Sequence, residues 1–170
     1  MKIPIYFKHY YYTNKYYDLK LWVKSKYQKL RYGFEYQETW NLYQSLATWV
    51  LPRLKHLKKN KQGIPSACFD CEKYKTPEEQ QSDGAMKDAE KRWDGILNEI
   101  IFAFEFYEDD YKYLMACYPP DYDFGFDTDE KSYIVWNDNR APDYTSYDAA
   151  EKRAKEGLKL FAEYYANLWD

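Results

Sequence analysis

The pattern in this chain that most resembles a chemical motif is a pair of cysteines, Cys68 and Cys71, separated by two residues. A Cys-x-x-Cys pair is half of a structural zinc site, and further ligands are needed to complete a set of four. The third cysteine, Cys117, and the histidines His9 and His56 stand at no ligand spacing from the pair. The pair therefore predicts an ordinary loop, and a zinc-dependent enzyme is kept only as an alternative.

A second concentration of potential ligands is the acidic segment of residues 121–130. A calcium loop needs glycine at its sixth position, but a count from Asp121 puts Gly125 at the fifth and Phe126 at the sixth. Because the chain has six glycines in all, it also lacks a phosphate-cradling loop and a dinucleotide fingerprint. No constellation specifies a reaction, so we expect a protein without catalytic residues, metal or other cofactor.

The charge of the chain is divided unevenly along its length. Residues 1–62 carry 13 lysines and arginines against 3 acidic residues, whereas residues 63–170 carry 12 against 25. Such an asymmetry indicates either an oppositely charged partner or two halves that meet each other. The formal net charge of the whole chain, −3, does not reveal this asymmetry.

The basic first third is also rich in tyrosine, which makes it the candidate binding surface. Lysines attract phosphates, and tyrosine rings stack on bases at about 1–3 kcal/mol each. We therefore expect a small anionic ligand such as a nucleotide, or a host protein; long nucleic acid is less favoured because the net charge is negative. The alternative is that these cations meet acidic residues of this chain or of a second copy, and we expect a homo-oligomer. The predicted ligand-binding residues are Lys8, Tyr11, Tyr12, Lys15, Lys24, Tyr27, Arg31 and Arg53.

The expected compartment is the cytoplasm. Three cysteines are too few, and odd in number, for a disulfide framework. The start of the chain has no apolar run and cleavage site typical of a signal peptide, and no stretch of 18 apolar residues occurs, so no membrane partner is expected.

Three stretches have the apolar spacing of long helices: 36–59, 85–109 and 146–168. Pro52 inside the first predicts a kink or a break, and Gly157 inside the third predicts a close helix crossing. The apolar face of the first is predicted to comprise Trp40, Tyr43, Ala47, Val50, Leu54 and Leu57, widened by Leu42, Leu46 and Trp49.

These helices predict a single all-α domain over residues 1–170. One or two short helices accompany them, and Thr76 with Glu79 forms a capping box for one. The rest is a Tyr- and Lys-rich N-terminal segment, 1–32, in which a helix is permitted, and an acidic irregular insertion, 110–144. The pattern permits a minor β-hairpin within residues 122–138.

The order of four motifs resembles a family of small proteins encoded by tailed bacteriophages. The motifs are a helix start led by Gly33, the sequence Leu51-Pro52-Arg53-Leu54-Lys55, the Trp93-Asp94 helix, and the C-terminal run Gly157-Leu158-Lys159-Leu160-Phe161-Ala162. Tyr43 departs from the family pattern, which has an aspartate at that point. The resemblance implies a viral origin and the cytoplasm of an infected bacterium, but no mechanism.

Combined with the basic, aromatic surface and the lack of catalytic groups, a viral origin predicts a non-catalytic accessory protein. Such a protein would counteract host defence by sequestering a nucleotide signal or a host protein. The alternative is a structural virion or assembly protein.

Overall fold

A computed structural model describes residues 15–119, 124–126, 134–136 and 141–169, and the chain divides into two compact units, residues 1–45 and 46–170. The described residues are mostly helical, which confirms the all-α class. The expected single domain stays a prediction.

The first unit contains helix α1 (Lys15–Tyr32) and a 3-10 helix (Tyr36–Thr39). Gly33 ends α1 with a φ of +82°, a left-handed conformation that glycine adopts without steric strain. Its amide donates to the Lys29 carbonyl at 3.0 Å, which satisfies a carbonyl at the helix end. Gly33 therefore terminates α1.

Helix α2 (Leu42–Asn60) begins later than the predicted start at residue 36, because Tyr36–Thr39 forms a separate 3-10 turn. It continues through Pro52, so of the kink or break predicted there, the break does not occur. Proline removes one backbone donor, and the helix carries that loss without ending.

The buried side of α2 differs from the predicted face. Ala47, Leu51 and Leu54 are buried, whereas Leu46 is 50% exposed and Trp49 is 58% exposed. The predicted face was therefore too wide on one side, and it omitted Leu51 on the other. Ala47 and Leu54 of the predicted face are buried together with Leu51, so the core-facing side of α2 is shifted toward Leu51.

Short helix α3 (Pro77–Gln80) has the predicted capping box. The Glu79 amide donates to Thr76 Oγ1 at 3.2 Å, and Glu79 Oε2 accepts the Thr76 amide at 3.1 Å. Helix α4 (Asp83–Glu108) follows, capped by Ser82, and matches the second predicted long helix.

Helix α5 (Asp110–Met115) lies at the start of the segment that the sequence predicted to be irregular. The Asp109 side chain caps it by accepting the Lys112 amide at 3.2 Å. The expectation of irregular structure from residue 110 is therefore wrong for these residues.

Strands β1 (Phe124–Phe126) and β2 (Ile134–Trp136) pair antiparallel, with Gly125 opposite Val135. The other residues of the predicted 122–138 hairpin lie outside the described residues, so the hairpin stays a prediction.

Helix α6 (Thr145–Glu163) packs along α4, and together with α2 these helices enclose the core of the second unit. A short 3-10 helix, Tyr165–Asn167, follows α6. Within the described part of the chain, no helix combines the length and apolarity needed to cross a bilayer.

The predicted close crossing is present at Gly157. A Cβ placed there would lie 2.3 Å from the Glu99 carbonyl oxygen and 2.8 Å from the Ala103 Cβ. Gly157 and Ala154 are both buried, so the backbones of α4 and α6 approach through small residues.

Candidate functional site

The C-terminal half of α1 is fixed by contacts with the turn that follows it. Gln28 is buried and accepts the Tyr36 amide on its Oε1 at 3.1 Å. Lys29 Nζ lies 2.9 Å from Glu35 Oε1 and 3.7 Å from a Glu38 oxygen. The hydrogen bond to Glu35 raises the pKa of Lys29. Lys29 is therefore engaged in holding the turn.

Three predicted site residues share one side of α1. Lys24, Tyr27 and Arg31 follow one another at separations of three and four residues, which places them in a row along the helix. All three are exposed. Neither Lys24 nor Arg31 forms an ion pair with a carboxylate of the described residues. This row, Lys24, Tyr27 and Arg31, is the α1 cationic row.

Aromatic rings adjoin cations on two sides of α1. In the row, the Arg31 guanidinium lies 5.8 Å from the Tyr32 ring centre. On roughly the opposite side, Lys26 Nζ lies 5.8 Å from the Trp22 ring centre. Trp22 is 56% exposed and Tyr27 58%. The helix therefore presents positive charge beside stacking surfaces, the combination that a phosphate joined to an aromatic base can use.

The other predicted site residues are not members of this row. Lys8, Tyr11 and Tyr12 lie outside the described residues, and Lys15 begins α1 with a side chain that is also outside them. Arg53 belongs to the second unit, where its guanidinium lies 3.8 Å from the centre of the Trp49 ring.

Cations at the end of α2 are paired with α4. Lys55 Nζ lies 2.6 Å from Glu105 Oε1, and Lys61 Nζ lies 3.2 Å from Asp94 Oδ1. Part of the positive charge of residues 1–62 is therefore neutralised within the second unit, as the alternative explanation of the charge division expected. Lys24 and Arg31 of the α1 cationic row are not among the paired cations of the described residues.

The cysteine pair has one buried and one exposed member. Cys68 is 1% exposed and packs in a cluster with Trp93 and Tyr164, and burial raises the pKa of its thiol. Cys71 is exposed. Among the described residues, no group of three or more His, Cys, Asp or Glu side chains is arranged to hold a metal ion.

A charged pocket that the sequence did not predict opens beside Cys68. Its volume is about 390 Å³, and its lining comprises Cys68, Asp70, Lys73, Asp88, Lys91 and Arg92. Its walls come from the loop after Cys68 and from the first turns of α4. The sequence signal is the run of opposite charges on α4 from residue 88 to 92, which resembles any solvated helix face.

Comparison with protein-family models, with curated proteins and with solved structures finds no match for this chain.

Proposed function

We propose that this protein acts by binding and not by catalysis, and that the α1 cationic row captures a nucleotide. The observation that carries the proposal is the placement of Lys24 and Arg31, exposed and without an ion pair among the described residues, on either side of the exposed Tyr27 ring. A nucleotide offers phosphate oxygens to the two cations and a base to the ring.

The energetics favour such a ligand over a simple anion. A cation without an ion pair gives up no carboxylate contact when a phosphate approaches, so the attraction is not offset by breaking an ion pair. Stacking on an exposed ring adds about 1–3 kcal/mol per base. The contacts of Gln28 and Lys29 with the following turn hold the C-terminal half of the helix, which limits the ordering that binding requires.

The biological role that we propose is sequestration of a nucleotide signal during bacteriophage infection, in the cytoplasm of the host. It combines the binding surface with the viral origin implied by the sequence resemblance. Sequestration needs no catalytic group, only affinity and sufficient copies of the protein.

The test is native mass spectrometry of the full chain purified from bacteria, followed by titration with a cyclic dinucleotide at low salt. We expect retained or added nucleotide, with affinity that falls as salt rises. Replacing Lys24 and Arg31 together by glutamine should weaken binding by about tenfold or more, because charge-assisted hydrogen bonds to phosphate are lost. Tyr27→Ala should remove about 1–3 kcal/mol of stacking.

The matched control is Lys26→Gln. It removes the same charge from the same helix, but residue 26 lies roughly opposite residue 24 around the axis. Equal weakening by Lys26→Gln and Lys24→Gln would show that overall charge, not the row, drives binding. Absence of any nucleotide binding at low salt would refute the proposal.

A role in virion structure or assembly is the second candidate, favoured by exposed tryptophans. Trp40 is 89% exposed, and Trp22 and Trp49 are more than half exposed. Tryptophan is enriched among residues that dominate protein–protein interfaces. Mass spectrometry of purified phage particles, with sedimentation of the isolated protein, would detect incorporation or a homo-oligomer.

A further inference from the structure

The pocket beside Cys68 lies entirely in the second unit and is not used by the proposed function of α1. It contains three cations, Lys73, Lys91 and Arg92, and two carboxylates, Asp70 and Asp88. The contacts among these five groups determine which charges are available to a ligand.

Both carboxylates are occupied. Asp88 Oδ2 accepts hydrogen bonds from Lys73 Nζ at 2.5 Å and from the Tyr74 hydroxyl at 2.8 Å. Asp70 Oδ1 accepts the amides of Glu72 and Lys73, both at 3.1 Å. These hydrogen bonds hold the pKa of both carboxyls below their usual values. For each carboxyl, the hydrogen bond from Lys73 is the largest contribution. Both groups are therefore charged at neutral pH and already have donors.

Two of the cations, Arg92 and Lys91, keep hydrogen-bond donors that no carboxylate of the pocket occupies. Arg92 contacts a carboxylate through one long interaction, 3.4 Å from its Nη2 to Asp70 Oδ2. A guanidinium has five donors in a planar fork, so most of its hydrogen-bonding capacity remains. Lys91 forms no ion pair with any carboxylate of the described residues. Because two carboxylates oppose three cations, the pocket retains one positive charge.

The remaining wall adds no negative charge. Cys68 is buried, and burial raises the pKa of its thiol, so the sulfur is neutral at physiological pH. A volume of about 390 Å³ lies within the usual range of small-molecule pockets.

We infer that this pocket binds a doubly charged oxyanion, held by the open side of the Arg92 fork and by Lys91. Arginine pairs with phosphate oxygens in a planar, two-point geometry, and a neighbouring lysine supplies a point charge. The same group is present in inorganic phosphate and in the phosphate of a mononucleotide. This inference is independent of the nucleotide site on α1.

The experiment is isothermal titration calorimetry of the full chain with three probes: inorganic phosphate, adenosine monophosphate and adenosine. Binding of both phosphate-bearing probes but not of adenosine is expected if the oxyanion is the group recognised. A mononucleotide that binds while inorganic phosphate does not would place recognition in the base and overturn the inference.

Variants locate the site. Arg92→Gln and Lys91→Gln should each weaken phosphate binding by about tenfold or more, whereas Lys152→Gln on α6 removes the same charge away from the pocket and should leave it unchanged. Arg92→Lys, which keeps the charge but loses the fork, should fall between the wild type and Arg92→Gln. Circular dichroism verifies that each variant folds.

Two outcomes would overturn the inference. One is phosphate binding that Arg92→Gln and Lys91→Gln leave intact. The other is phosphate binding abolished by replacement of Lys24 and Arg31, which would show that the calorimetric signal comes from binding at α1. Conversely, wild-type nucleotide binding that replacement of Lys24 and Arg31 leaves unchanged, together with phosphate binding that depends on Arg92, would refute only the proposed function.

Discussion

Adding one methyl group at Gly157 tests the crossing of α4 and α6. The new Cβ would lie 2.3 Å from the Glu99 carbonyl oxygen and 2.8 Å from the Ala103 Cβ, whereas carbon–oxygen contacts normally lie at about 3.3–3.6 Å. The obstacle is backbone, so a rotamer change cannot relieve it and the helices must separate. Overpacking costs about 1–3 kcal/mol, and we take the upper end for a backbone clash.

The helix propensity of alanine offsets about 1 kcal/mol of that cost. We therefore expect Gly157→Ala to lower the free energy of unfolding by about 2 kcal/mol, which corresponds to a fall in Tm of about 4–8 °C for a chain of this size. Urea unfolding followed by circular dichroism measures the first quantity, and calorimetry measures the second.

Gly95→Ala is the matched control for this prediction. Gly95 also lies inside a long helix, but a Cβ there would meet no atom within 4 Å. Gly95→Ala should raise the free energy of unfolding by up to about 1 kcal/mol through helix propensity alone. If Gly157→Ala stabilises the protein to the same extent, the close crossing is not present in solution.

Two further predictions concern the second unit. Leu51→Ala should lower the free energy of unfolding by about 2–5 kcal/mol, because Leu51 is buried. Leu46→Ala, at a half-exposed position, should change it by less than about 0.5 kcal/mol. Similar urea midpoints for the two variants would contradict the observed face of α2. Glu99 accepts two hydrogen bonds from Arg153, at 2.7 and 2.9 Å, which lower the pKa of its carboxyl from 4.5. A lowered pKa in the folded state adds stability above pH 4.5 that is lost as pH falls through the folded pKa. Glu99→Gln should therefore flatten the acid limb of a plot of unfolding free energy against pH, and an unchanged limb would contradict the pairing.

Features encoded by neighbouring residues were predictable from the sequence. The capping box at Thr76 and Glu79 depends on residues three apart, and both of its hydrogen bonds are present. Gly157 in the middle of an apolar stripe predicted a close approach because glycine is otherwise unfavourable in a helix. In both cases the local sequence contains the physical cause.

The orientation of α2 was not predictable to the same accuracy. Leu46, Ala47, Val50 and Leu51 lie on adjacent rows of the helix, and hydrophobic periodicity alone does not choose between rows that differ by about 100°. The structure buries Ala47 and Leu51 and exposes Leu46, a choice made by packing against α4 and α6.

Of the two candidate sites, the α1 cationic row was predictable from the local sequence and the pocket beside Cys68 was not. Lys24, Tyr27 and Arg31 share one side of α1 because of their spacing, so the row follows from the sequence once the helix is assigned. The pocket joins Asp70 to Arg92, 22 residues away, and depends on how the loop after Cys68 packs against α4. No local pattern contains that information.

The different exposure of the three cysteines provides a practical route to measuring ligand binding. Cys71 is exposed, whereas Cys68 and Cys117 are buried. A maleimide fluorophore should consequently attach to the native protein at one position, without mutagenesis, close in sequence to the pocket wall. Such a dye reports occupancy of the pocket by its change in emission, and reaction at the other two thiols becomes a direct indicator of unfolding.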